Sequence, residues 1–135
     1  MRSQTRAGTI AAAPNEVYDF ISRPENLPSW APAFARSVRP EGDYWIATRP
    51  DGELAFKLRL NREFGVVDFL VRIAPDVYRL SAPTRVVAHG STHAEYLFTL
   101  FAMPAETNAD FERRAAAIDG ELATLARRFE TAVRN

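Results

Sequence analysis

The C-terminal part of the chain carries a helical pattern that limits the folds open to the rest. Apolar side chains recur at three- and four-residue spacing from Phe111 to Phe129, which is the period of one face of an α-helix. Thr107 is suited to cap the first turn, with Asp110 following as an acidic variant of a capping box. The pattern predicts a helix over residues 108–133 of about seven turns. Such a helix needs a second layer to cover its apolar face.

The middle of the chain supplies that layer. Apolar and polar residues alternate in four stretches, 43–60, 66–73, 78–88 and 94–102, which predicts antiparallel strands with one buried face. A further strand is predicted over residues 5–12. The apolar side chains expected on the inner face are Leu54, Phe56, Leu58, Leu60, Val67, Phe69, Val71, Ile73, Tyr96, Phe98 and Leu100. The order of elements predicts a single α+β domain over residues 1–135, with an antiparallel sheet of six to seven strands curved around the long helix.

The hairpin over residues 43–60 turns at Pro50-Asp51-Gly52. If Arg49 and Glu53 flank this turn, Ile46 lies opposite Phe56. The same register places Tyr44 opposite Leu58 and sends Trp45 to the outer face. Leu97 and Phe101 are also expected there, and grouped apolar residues of this kind predict a weak homodimer.

Composition excludes several kinds of partner. The formal net charge is zero, which argues against nucleic acid and anionic membrane surfaces as partners. The chain has no cysteine, so it has no disulfide or thiolate metal site. Neither a signal-like N-terminus nor a run long enough for membrane insertion is present, which predicts a cytoplasmic protein. Lys57 is the sole lysine beside many arginines, a composition typical of GC-rich bacteria.

The segment "ENLPSWAPAF", residues 25–34, is too rich in proline for a regular helix and too apolar for a surface linker. Pro14 begins a short helix whose apolar face includes Val17 and Ile21, and this segment follows as a second, irregular helical piece. Trp30 and Phe34 therefore either seal one end of the core or line the mouth of a cavity. We favour the mouth.

The order of elements, together with "PNEVYDFISRPENLPSWAPAF", "NREFGVVDF" and the C-terminal helix, resembles the START-like (SRPBCC) superfamily. This superfamily includes polyketide cyclases/dehydrases, lipid-transfer domains and birch-pollen-allergen-like proteins. The resemblance covers nearly the whole chain and implies a helix-grip fold with a ligand cavity between sheet and helix. Members often place histidine after the aspartate that Asp68 matches. Here Phe69 occupies that position, which argues against an acid–base site there.

Few residues suggest chemistry. His89 and His93 are the only histidines, and they flank a loop containing Gly90 without a third ligand, so we predict no metal site and no cofactor. Asp68 and Arg85 are expected to form an ion pair on the outer face. Catalytic triads, paired inward carboxylates and phosphate-binding loops are absent from the sequence, and we assign no catalytic residue.

Tyrosine offers the remaining polar candidates. Tyr96 is predicted to face inward, where a phenol either donates a proton to a ligand oxygen or satisfies a backbone carbonyl. Tyr18 is a weaker candidate of the same kind.

Three functions remain open. The first is binding or carriage of a small hydrophobic ligand, such as a lipid, a polyketide or another aromatic molecule. The others are a polyketide cyclase/dehydratase-type enzyme that uses the same cavity and a protein-interaction module. The almost wholly apolar inner face favours binding. The residues predicted to contact the ligand are Trp30, Phe34, Phe56, Leu58, Phe69, Val71, Tyr96, Phe98, Phe111, Ile118 and Leu122.

Overall fold

The computed structural model of the protein describes residues 2–134, with side chains as far as residue 130. Seven strands form one antiparallel sheet in the order β1-β7-β6-β5-β4-β3-β2. The strands are β1 (Ser3–Ile10), β2 (Ser37–Glu41), β3 (Tyr44–Arg49), β4 (Gly52–Asn61), β5 (Val66–Ala74), β6 (Val77–His89) and β7 (His93–Phe101). The helices are α1 (Pro14–Ile21), α2 (Leu27–Trp30) and α3 (Asn108–Arg134), with a 3₁₀ turn at Pro24–Asn26 between α1 and α2. The predicted α+β helix-grip architecture is confirmed.

The long helix α3 packs its apolar stripe against the inner face of the sheet. Phe111, Ala115 and Leu125 are buried, as the three- and four-residue spacing requires. Next to β1 the approach is close, since a Cβ at Gly8 would lie 3.3 Å from Leu122 Cβ. Thr107 Oγ1 accepts a hydrogen bond of 3.1 Å from the backbone N–H of Asp110, so the predicted cap is present. Within residues 2–134, no helix is long and apolar enough to cross a membrane.

Strand alternation builds the inner face of the sheet as predicted. Ala88 pairs with Ala94, and this register turns Tyr96, Phe98 and Leu100 inward, where all three are buried. Two residues predicted on the inner face are not buried. Leu60 and Ile73 lie near the strand ends and are about half exposed. The core therefore occupies the middle of the sheet.

The β3–β4 hairpin differs from the prediction by one residue. Arg49 pairs with Gly52, so the turn contains only Pro50 and Asp51. Gly52 has a φ of +129°, a conformation that favours glycine, and this lets it begin β4 directly. Trp45 consequently pairs with Phe56 and packs against the core. A one-residue slip moves every β3 side chain to the other face, which is why the predicted outward position of Trp45 is wrong.

This correction weakens the outer apolar surface on which the homodimer prediction rests. Trp45 faces inward, and Phe101 borders the cavity described below. Of the three residues predicted to form the outer patch, only Leu97 lies on the outer face without also contacting the core or the cavity. A single half-buried leucine does not form an apolar patch of the size typical of interfaces.

Strand β2 has no counterpart among the strands that the sequence pattern singles out. It is an edge strand of five residues that pairs only with β3, and all but Val38 are exposed. Pro40 lies within it, and proline is confined to sheet edges because it lacks a donor for the ladder. An exposed edge strand shows no apolar alternation, so the pattern could not reveal it.

Candidate functional site

A cavity of about 720 Å³ lies between the inner face of the sheet and α3. Helix α2 and the segment up to Phe34 form one wall, and Phe101 at the end of β7 forms another with residues 102–104. The lining residues Arg79, Met103 and Pro104 are exposed and lie at the end of the sheet that carries the β3–β4 and β5–β6 turns, which indicates an opening there. The volume is typical of sites for small organic molecules.

Six of the eleven residues predicted to contact a ligand line this cavity. They are Trp30, Phe34, Phe69, Val71, Phe98 and Ile118. Trp30 is only 1% exposed and belongs to the inner wall, which differs from the expected position at the mouth. Helix α2 folds its indole inward against the Tyr96 ring, at 5.9 Å between ring centroids. Phe34 is less buried and lies nearer the opening.

The other five lie outside the cavity wall. They are Phe56, Leu58, Tyr96, Phe111 and Leu122. Phe56 is covered by the ring of Phe34, at 5.4 Å between centroids. Leu122 packs on β1 at Gly8 instead. An inward direction is thus insufficient for contact with the cavity, because a neighbouring side chain can lie between, as Phe34 does for Phe56.

The aromatic side chains form a continuous chain of ring contacts through the site. Trp30 contacts Tyr96, which contacts Phe98 at 6.3 Å. Phe98 lies 6.0 Å from Phe69, and Phe69 lies 5.8 Å from Phe34. Most of these pairs meet edge to face, which is a favoured geometry for aromatic rings. Four of the five rings line the cavity, and Tyr96 lies behind them in the core.

Tyr96 is not placed to contact a ligand. Its side chain is fully buried, and its hydroxyl makes no hydrogen bond of normal geometry. Burial raises the pKa of Tyr96 well above its usual range, and the nearby Thr84 hydroxyl opposes this only partly. Tyr18 has an ordinary structural role, since its hydroxyl donates to the Val66 carbonyl at 3.0 Å. Neither phenol is available as a proton donor in the cavity.

Polar side chains that the sequence analysis missed also line the cavity. They are Arg49, Arg79, Ser81, Arg114 and Glu121. The hairpin register hid Arg49, which is the last inner-face position of β3 once Trp45 and Ala47 face inward. Arg79 was hidden by the irregular pairing of β6, in which it lies opposite the inward-facing Val71. The wall is therefore apolar in its middle and cationic near its opening.

Glu121 is the acidic member of this group. It belongs to α3, one turn beyond Ile118, and so faces the cavity from the helix side. No hydrogen bond or ion pair joins its carboxylate to any other described residue. Burial raises the pKa of Glu121 to about 7, because little solvent and no cation stabilise its charged form. The helix spacing alone could have identified this residue, since it lies three positions from Ile118.

The three arginines of the cavity wall differ in whether their guanidinium groups already have hydrogen-bond partners within the protein. Arg114 donates to both carboxylate oxygens of Glu106, at 2.7 and 2.8 Å, and this bonding lowers the pKa of Glu106 to about 2. Arg49 approaches only the exposed Asp51, at 4.0 Å, and its buried Nε has no hydrogen-bond partner. The Arg79 side chain makes no hydrogen bond or ion pair with any described residue. Arg49 and Arg79 are thus free to bind another group.

Polar residues elsewhere have local partners. Asp68 pairs with Arg59 directly across the strands, at 2.7 Å, and not with Arg85 as predicted. Arg85 donates to the Phe64 carbonyl instead. His89 contacts Glu95 at 3.1 Å in the exposed β6–β7 region. In the part of the chain that the structure describes, no three His, Cys, Asp or Glu side chains are grouped to hold a metal ion.

Comparison with known proteins identifies the architecture. No protein-family model and no curated protein sequence matches the chain. A START superfamily protein from Mycobacterium smegmatis superposes with a TM-score of 0.73 at 12% identity, covering 96% of this chain and 98% of its own. The Aha1 dimer from Colwellia psychrerythraea gives 0.73 at 15% identity, covering 96% and 97%.

A third solved structure is the Zhui aromatase/cyclase from a Streptomyces species. It superposes with a TM-score of 0.63 at 13% identity, covering 94% of both chains. Identities this low establish the fold alone, because one such scaffold serves many functions. The chain has the START-like helix-grip fold that its sequence resemblance implies.

Proposed function

We propose that the protein binds a small hydrophobic molecule in the cavity between the sheet and α3. The observation that carries this proposal is the cavity itself, about 720 Å³ and walled mainly by aromatic and aliphatic side chains. A ligand with an apolar body gains by leaving water for this wall and by stacking against its rings. Lipids, polyketides and other aromatic molecules all have bodies of this kind.

Tryptophan fluorescence tests the proposal directly. The chain has two tryptophans, and only Trp30 lines the cavity. In a Trp45→Phe background, Trp30 should therefore report occupancy alone. We expect some members of a panel of fatty acids, flavonoids and polyketide-like aromatics to change its emission and raise the melting temperature. A panel that changes neither property would contradict the proposal and favour a protein-interaction module.

Two neighbouring alanines of α3 provide a matched control for the location. Ala116 and Ala117 are both exposed, but only Ala117 lines the cavity. Ala117→Phe should narrow the cavity and weaken ligand binding by roughly tenfold or more. Ala116→Phe adds the same ring outside the cavity and should leave the affinity unchanged. Equal losses in both variants would place the ligand elsewhere.

One observation favours a second candidate function, a cyclase/dehydratase-type enzyme. Glu121 faces the cavity without a partner, and its pKa of about 7 suits a group that both accepts and donates protons at neutral pH. The aromatic wall would hold a flexible substrate in one folded shape. Wild-type protein should then convert a poly-β-keto ester into an aromatic product, followed by absorbance, and Glu121→Gln should abolish the turnover. Ligand binding without turnover in both proteins would leave the binding function alone.

A homodimer also stays a proposal. The Aha1 structure from Colwellia psychrerythraea is a dimer on the same fold, which supports it. The corrected position of Trp45 removes the largest side chain from the predicted contact surface. Light scattering over a wide concentration range should show mass increasing toward that of two chains, and a constant monomer mass would exclude the dimer.

A further inference from the structure

The opening of the cavity has an unbalanced charge. Arg49 ends β3 and Arg79 is the third residue of β6, so both belong to the sheet end with the β3–β4 and β5–β6 turns. Both lie on the inner face and line the cavity. Neither has a carboxylate within hydrogen-bonding distance among the described residues. Asp51 in the β3–β4 turn is exposed and approaches Arg49 Nε only to 4.0 Å, so the two strands present two cations to one opening without a hydrogen-bonded anion among the described residues.

Arg49 shows that this arrangement is more than a solvated surface charge. Its side chain is about two-thirds covered, and its guanidinium lies 5.8 Å from the centre of the Phe34 ring. That contact holds the charged group beside the aromatic wall, where its terminal nitrogens remain free to donate. Arg79 is exposed. It pairs with Val71 across the strands, so it lies on the β6 side of the same opening.

A third arginine at this opening, Arg114, shows the contrast. Arg114 is neutralised by Glu106 and also donates to the Phe101 carbonyl, so it fastens the segment after β7 to α3. The arginine with a structural role therefore has hydrogen-bond partners within the protein, whereas the side chains of the two others have none. Glu121 does not balance them, because it makes no ion pair although it lines the same cavity.

We infer that the ligand is an amphipathic anion, with a carboxylate or phosphate ester drawn to the cationic rim that Arg49 and Arg79 form at the opening and an apolar body against the aromatic wall. Guanidinium groups pair with both kinds of oxyanion through charge-assisted hydrogen bonds. The inference rests on the proposed binding function and narrows its ligand class. It also gives the ligand one orientation, with the anionic group toward solvent and the apolar end toward Trp30.

Matched pairs of probes test the inference by calorimetric titration. The pairs are 2-naphthoate with 2-naphthamide, and dodecanoate with dodecanamide, which share a body and differ in charge. We expect wild-type protein to bind each acid roughly tenfold or more tightly than its amide, as the loss of a charged hydrogen bond implies. 2-Naphthyl phosphate tests the phosphate ester, and inorganic phosphate tests the anion without a body.

Single variants assign the preference to its residues. Arg49→Gln and Arg79→Gln should each reduce the affinity for the acids severalfold more than the affinity for the amides. Amide binding in the same variants also shows that the cavity is intact. Arg72 lies on the outer face of β5, over the Tyr44 ring, and Arg72→Gln is the matched control that should change neither affinity.

The outcomes separate this inference from the proposal on which it rests. Equal binding of acid and amide, or an acid preference that survives both variants, would overturn the inference and leave the cavity function standing. Inorganic phosphate binding as tightly as 2-naphthyl phosphate would also overturn it, because the apolar body would then contribute nothing. Failure of all the organic probes, charged and neutral, would remove the binding function together with the inference.

Discussion

Replacing Glu121 by glutamine should change how the stability of the protein depends on pH. Burial raises the pKa of this carboxyl from 4.5 to about 7 in the folded protein. Between these values the folded carboxyl keeps its proton, whereas the unfolded one has released it. The folded state then binds more protons than the unfolded state, so its stability falls as pH rises through this window.

The expected size follows from the rise in pKa. From 4.5 to about 7, at about 1.4 kcal/mol for each pH unit, the loss approaches about 3 kcal/mol once the carboxyl is ionised. Glutamine has nearly the same shape and does not titrate. The unfolding free energy of Glu121→Gln should therefore equal that of the wild-type protein near pH 4. At pH 8 it should be higher than the wild-type value by about 3 kcal/mol.

Urea unfolding, followed by tryptophan fluorescence at intervals between pH 4 and pH 8, measures this difference. Other groups titrate equally in both proteins and cancel in the comparison. Glu112 is an exposed carboxylate on the same helix, and Glu112→Gln is the control that should give no comparable change. A constant difference between wild type and Glu121→Gln across the pH range would refute the burial of this carboxyl.

Four further substitutions test the packing. Leu122→Ala should cost about 2–5 kcal/mol in denaturant unfolding because the side chain is 4% exposed, and a loss of a few tenths would mean that α3 is not docked on the sheet. Gly65→Ala should be more damaging than Gly90→Ala: both have positive φ, but a Cβ at residue 65 would lie 2.0 Å from the Val86 carbonyl oxygen, whereas residue 90 has open space. Equal melting temperatures for these two variants would contradict that contact. Tyr96→Phe should leave stability unchanged or raise it by up to about 1 kcal/mol, since the buried hydroxyl lacks a partner, and a clear loss would reveal a hydrogen bond there.

The sequence predicts the fold well because the helix and most strands have a regular spacing of apolar residues. The apolar spacing from Phe111 to Phe129 requires one long helix, and strand alternation fixes the inward direction of Tyr96 and Phe98. These patterns extend over many residues, so a local irregularity does not remove them. The edge strand β2 lacks any such pattern and was missed.

The cavity wall is harder to predict because it depends on single-residue details. One residue of turn length decides that Trp45 and Arg49 face inward. Inward direction also does not ensure contact with the cavity, since Phe34 covers Phe56 from the loop side. The inner face is therefore less apolar than its sequence pattern predicts, because three arginines and Glu121 line the cavity.

The most direct test of the cavity as the ligand site is a nuclear Overhauser measurement on methyl-labelled protein saturated with 2-naphthamide. Ile118 on α3 and Val71 on β5 face the cavity from opposite sides, whereas Ile73 lies outside it and is exposed. If the ligand lies between sheet and helix, its ring protons should show contacts to the methyl groups of both Ile118 and Val71 and none to Ile73. Contacts to Ile73 alone, or none to any methyl group at saturation, would contradict the central claim.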